Sequence, residues 1–70
     1  MGLFRLRIRE LAEEKGWTLK EVAIRAGIPY STITTYARSN GMTTADVLAL
    51  QKLARTFDVL IEDLIEVVEE

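Results

Sequence analysis

Six side chains between Tyr30 and Arg38 offer hydrogen-bonding chemistry found nowhere else in the chain at this density: Tyr30, Ser31, Thr32, Thr34, Thr35 and Arg38. At helical spacing Ser31, Thr35 and Arg38 fall at i, i+4 and i+7, with Tyr30 and Thr34 beside them. Short hydroxyls let a helix approach the edges of base pairs closely, and a threonine methyl can meet the methyl of thymine. Ser and Thr are poor helix formers at exposed positions. The run also lacks Glu and Lys, the usual choices for a solvated helix face. A surface that reads double-stranded DNA explains this composition better than a merely polar helix does.

Catalytic and metal chemistry find little to work with. The 70 residues contain no His and no Cys, which removes the commonest acid–base group and metal ligand, and with them disulfides and thiolate sites. There is no glycine-rich phosphate loop, and the carboxylates fall on solvated helix faces. An enzyme is not expected, and neither is a cofactor.

The hydroxyl run must be held outward by its neighbours. Leu19–Ala26 places Val22, Ala23 and Ala26 on one helical face, and Tyr30–Arg38 places Ile33, Tyr36 and Ala37 inward. Gly27 lies between them, where a chain leaving a helix needs a positive φ. Ala23 is small, as a closely crossing helix requires. Small residue, turn glycine and an apolar residue six places on form the pattern of a helix-turn-helix. Thr18-Leu19-Lys20-Glu21 reads as a capping box that starts the first of these helices. Its N-terminus, with Lys20 close by, makes a phosphate seat. Pro29 pre-sets φ for the second helix.

The remaining elements follow from periodicity. Leu3–Arg9 alternates apolar and basic residues, which alone suits an edge strand. It runs unbroken into Glu10–Lys15, however, with Phe4, Ile8, Leu11 and Ala12 on one face, so a helix from about Phe4 to Lys15 with Gly16 as its stop is preferred. Arg5, Arg7 and Arg9 are then either phosphate contacts or a solvated helix end. Trp17 staples the turn. Thr43 and Thr44 are candidate caps for a fourth helix from about Thr44 to Phe57, striped by Val47, Leu50, Leu53, Ala54 and Phe57. Asp58 breaks it. Ile61, Leu64, Ile65 and Val68 stripe a fifth helix ending near Glu70. Leu60 and Val67 fall off that stripe; they are either a dimer contact, or residues buried in the core or simply exposed.

Length gives one domain, residues 1–70. No apolar run approaches the ~20 residues of a spanning helix. The charged N-terminus does not read as a signal peptide, nor does it carry a myristoylation pattern, so a cytoplasmic protein without membrane attachment is expected. The net charge is −2 and the pI about 5.1, unusual for a nucleic-acid binder. The charge is unevenly spread. Residues 58–70 hold six acidic groups and no basic one, whereas residues 1–57 hold nine basic against five acidic, a net of +4. A mildly basic body thus carries an acidic terminal segment.

Gly16–Ala23, Gly27-Ile28, Ser31-Thr32-Ile33, Leu53-Ala54 and Phe57–Leu64 together resemble the XRE, or lambda-repressor-like (Cro/CI-type), helix-turn-helix family from about Ile8 to Ile65. The resemblance implies an all-α, compact five-helix DNA-binding domain with the helix-turn-helix at helices 2 and 3, a transcriptional repressor and homodimer whose third helix enters the major groove. It places base-reading side chains at Tyr30, Ser31, Thr32 and Thr35, with Thr34 and Arg38 at the groove edge. Phosphate contacts fall at Thr18, Leu19 and Lys20 and at Asn40. Four positions depart from the family pattern. Leu19 replaces a frequent glutamine, leaving only its backbone N–H for phosphate. Pro29 and Leu60 replace capping serines. Ala12 and Ala37 stand where many members pair arginine with glutamate, a joint loss that strands no charge and predicts that the two alanines touch. The acidic pI keeps a second reading open: a protein-interaction module, such as an antitoxin that binds a toxin partner, on the same fold with weak or no DNA binding.

Overall fold

The computed structural model describes residues 3–39 and 41–68. Its elements run β1 (Phe4–Leu6), α1 (Ile8–Lys15), α2 (Leu19–Ala26), α3 (Tyr30–Arg38), α4 (Val47–Phe57), α5 (Ile61–Leu64) and β2 (Ile65–Val67). The five helices expected from the sequence are present, but the fold is mostly helical rather than all-α, because a two-stranded sheet joins the chain ends.

That sheet corrects two expectations at once. Phe4–Leu6 is a strand and not the first turn of a helix, and the last helix is one turn long before the chain extends into β2. The strands pair antiparallel, Phe4 opposite Val67, Arg5 opposite Glu66 and Leu6 opposite Ile65. The apolar–basic alternation is satisfied by this pairing: Leu6 is buried and Phe4 packs on the core, while Arg5 forms an ion pair with Glu66 at 2.7 Å. On its other side β1 bridges Met42, with Phe4 N–H donating to the Met42 carbonyl at 3.0 Å. Flanking bonds extend the seam, Val68 N–H to the Leu3 carbonyl and Arg7 N–H to the Leu64 carbonyl. The expected helix end near Glu70 lies outside the described residues.

The three N-terminal arginines are tied into the fold rather than left at a solvated helix end. Arg5 pairs with both Glu10 and Glu66. Arg7 donates to the Asp63 carbonyl at 2.9 Å, and Arg9 donates weakly to the Ala37 carbonyl at 3.3 Å. Each therefore joins segments distant in sequence.

One core gathers Leu6, Ile8, Leu11 and Ala12 with Val22, Ala23, Ala26, Ile28 and Ile33, and with Ala49, Leu53, Ala54, Phe57 and Leu64. Ala12 is buried and Ala37 packs against the same core, so the two neutral replacements sit in apolar surroundings. Trp17 stacks on Phe57 with ring centroids 5.8 Å apart. Three helices end in left-handed caps: Gly16 at φ 73°, Gly27 at φ 70° and Asp58 at φ 59°. α4 starts later than expected, because Asp46, not Thr43 or Thr44, caps it; the Asp46 carboxylate accepts from Leu48 N–H at 3.2 Å. Val47 and Leu48, expected within or beside the buried stripe, are exposed. Neither Pro29 nor Leu60 makes a side-chain cap bond, and α5 is correspondingly brief.

At Gly27 an added Cβ meets nothing within 4 Å, so Gly27→Ala isolates backbone strain. We expect it to lower stability by about 1–2 kcal/mol, read by thermal or denaturant unfolding. The Arg5 guanidinium, through its hydrogen bond and against the opposing effect of burial, holds the Glu10 carboxyl below its ordinary pKa. Stability from a lowered carboxyl is complete above the unfolded-state pKa and is lost as pH falls through the folded-state one. Glu10→Gln should therefore cost at most about 1 kcal/mol near neutral pH. That difference should vanish when unfolding is measured below the carboxylate range.

Candidate nucleic-acid interface

α2 and α3 have the bounds read from periodicity, and the turn between them is fixed by backbone chemistry. Gly27 N–H and Ile28 N–H both donate to the Ala23 carbonyl, at 2.9 and 3.1 Å. Pro29, at φ −55° and ψ 142°, then turns the chain into α3. Ile33 is wholly buried and pins α3 on the core, with Tyr36 and Ala37 packed beside it. The Tyr36 hydroxyl also accepts a long bond from Asp46 N–H, tying α3 to the start of α4.

With that inner edge fixed, Ser31, Thr35 and Arg38 face solvent along one line of α3. Tyr30 is exposed at its first position; Thr32 and Thr34 are half-buried on the flanks. No acidic residue lies on α3, and Arg38 forms no ion pair among the described residues. The hydroxyls are ordered. Thr34 Oγ1 and Thr35 Oγ1 both donate to the Ser31 carbonyl at 2.9 Å, which leaves their oxygen lone pairs as outward acceptors. This shared carbonyl was not read from the sequence, although Ser/Thr three and four residues after a helical carbonyl is its signal.

At the start of α2, the Thr18 hydroxyl accepts from Glu21 N–H at 3.1 Å. The other half of the expected capping box does not form. Glu21 instead accepts from Arg25 at 2.9 and 3.1 Å, because an i,i+4 ion pair competes for the carboxylate. Arg25 also lies over the Trp17 ring, 4.3 Å from its centroid. The backbone N–H groups of Leu19 and Lys20 find no acceptor among the described residues. They point from a helix N-terminus, where the dipole favours an anion. Lys20 is exposed, while the Leu19 side chain packs on the core. Asn40 lies outside the described residues.

Two crossed helices, a left-handed glycine turn and an outward polar face define a helix-turn-helix protein. Residues 7–70 match the Cro/C1-type HTH DNA-binding domain, and the chain belongs to that family. Among solved structures it is similar to SinR, from the "Crystal structure of the master regulator for biofilm formation SinR in complex with DNA", at 30% identity and TM-score 0.72, covering 80% of this chain and 87% of that one. No curated protein matches the chain. Among the described residues no helix is long and apolar enough to cross a membrane.

Thr18 is the only side-chain cap α2 has. Thr18→Ala should cost about 1 kcal/mol of stability, with Thr18→Ser recovering most of it in the same unfolding measurement.

Proposed function

We propose that this chain is a sequence-specific transcription regulator, a single domain over residues 1–70 that acts as a homodimeric repressor by laying α3 in the major groove. The observation that carries this reading is the exposed, acid-free line of Ser31, Thr35 and Arg38 on a rigidly seated helix. Tyr30 reads at the entrance of the groove, and Thr32 and Thr34 read at its edges. Back-bonded to Ser31, Thr34 and Thr35 offer acceptors to the amino groups of adenine or cytosine, and methyls to thymine. Thr18, Leu19 and Lys20 seat one phosphate through backbone N–H groups and the lysine charge, and Asn40 seats another. The family supports DNA as the partner, and the SinR structure shows a relative of this fold with DNA bound.

Dimerisation follows from size and charge. A body of net +4 reading one short half-site gives modest affinity, so two copies are needed on half-sites about one turn, ~34 Å, apart. A dimer seated across a promoter excludes other proteins from that DNA, which is repression. No small-molecule cofactor enters this mechanism.

The test is titration of the protein against an operator selected from a random pool. Thr35→Ala with Arg38→Ala should weaken selective binding by at least ~1–3 kcal/mol. Lys20→Ala should lower affinity evenly across sequences and flatten the salt dependence by about one unit per copy. Unchanged affinity in the double variant overturns the reading helix. Association that ignores salt and prefers a protein partner favours the interaction-module reading, which the acidic pI and the single basic residue of α3 motivate.

A further inference from the structure

Lys52 and Arg55 are exposed on α4, three residues apart, and form no ion pair among the described residues. With Arg25 and Ala26 of α2 and with Thr56 they line an open cavity of about 350 Å³. Three cations thus converge from two helices, and no carboxylate lines the cavity. Its volume lies at the lower end of small-molecule pockets, ~300–1,000 Å³. Ala26 is the only apolar residue lining it, so the wall offers little to an apolar ligand.

Arg25 is already set in place. Its guanidinium lies over the Trp17 ring, 4.3 Å from the centroid, and donates through Nε and Nη2 to Glu21 at 3.1 and 2.9 Å. Nη1 makes no hydrogen bond among the described residues. Thr56 Oγ1 donates to the Lys52 carbonyl at 2.7 Å, which leaves the recognition of an anion to the three cations. Helix electrostatics accounts for part of the cluster. Arg25 and Arg55 lie in the last turns of α2 and α4, where a cation opposes the dipole. Those two helix ends carry together about one negative charge, and Glu21 carries another. The three cations exceed both, and Lys52 lies before the last turn of α4.

We propose that this cavity binds a small phosphorylated molecule through its terminal phosphate. Tetrahedral phosphoryl oxygens present acceptors in several directions, which suits cations arriving from two helices; a carboxylate presents its acceptors in one plane. Arg55 and the free edge of Arg25 supply forked donors, and Lys52 a point charge. A terminal phosphate carries about −1.5 to −2 near neutral pH, more than the single charge of a phosphodiester, and so gains more from the cluster. The cavity lies toward the C-terminal end of α2. Arg25 is six residues from Leu19, ~9 Å along the helix axis, so the site is separate from the N–H groups that open α2. It does not rest on the DNA reading.

Isothermal titration of the full chain with pyrophosphate, ADP and citrate, at fixed moderate salt without magnesium, tests it. Pyrophosphate should saturate one site per chain and raise the unfolding temperature as it fills. Lys52→Gln with Arg55→Gln should weaken that binding about tenfold or more, with the circular dichroism spectrum unchanged. Lys20→Gln, at the other end of α2, should bind as wild type does. ADP separates the sources: tighter binding than pyrophosphate names a nucleotide, and binding no tighter names the phosphate chain alone. Absence of saturable binding by either phosphate probe overturns the proposal. So does citrate that binds as tightly as pyrophosphate, or an equal loss in Lys20→Gln. A Lys52→Gln, Arg55→Gln protein that keeps pyrophosphate but loses half-site DNA also overturns it, and assigns these cations to the DNA backbone.

Discussion

The Ala23 carbonyl, accepting from both Gly27 and Ile28, is where this fold commits to a direction. It closes α2, holds Gly27 left-handed and delivers Ile28 to the core before Pro29 redirects the chain. From there Ile33 has one place to go, and its complete burial rotates the opposite edge of α3 toward solvent. The outward Ser31, Thr35 and Arg38 are thus a geometric consequence of packing on the inner edge. The polar surface is anchored to the core beneath it through Ile33, with Tyr36 and Ala37 packed beside it.

Arg5 pairs with Glu10 and Glu66 where β1 meets β2, leaving a net charge of −1 there, and Arg25 pairs with Glu21 on the flank of α2. α3 carries Arg38 without an acidic neighbour on its own helix. An overall negative charge is compatible with a locally positive surface, because three of the carboxylates are held in pairs with arginines while Arg38 on α3 keeps its charge. Exposed pairs contribute little to stability individually.

The chain ends illustrate how a strand can be hidden in a helical sequence. Phe4–Leu6 and Ile65–Val67 are three residues each, too short to hold as strands alone. Paired with each other, and with Met42 on the far side of β1, they gain hydrogen bonds that neither segment finds locally. A one-turn α5 without a side-chain cap yields readily to that alternative. The seam also holds Leu6 and Leu64 in the core, so the sheet closes the helical bundle at the end of the molecule.

Read by itself, the sequence determined the helix-turn-helix to the residue at both helices, the Gly16 and Gly27 stops and the outward face of α3. Those features depend on contacts within a few residues: apolar spacing, a hydroxyl cap, a glycine free to take positive φ. Tertiary structure decided the rest. The antiparallel seam joins residues some sixty positions apart, and no local pattern in Phe4–Leu6 shows that Ile65–Val67 is waiting. Glu21 chose Arg25 over the Thr18 backbone, and Asp46 displaced Thr43 and Thr44 as the cap of α4, because only the folded chain fixes which of several nearby polar groups comes within bonding distance. Val47 and Leu48 stayed outside for a related reason: the inward face of α4 was set by what α2 and α5 already occupied, and apolar spacing alone cannot rank two candidate faces.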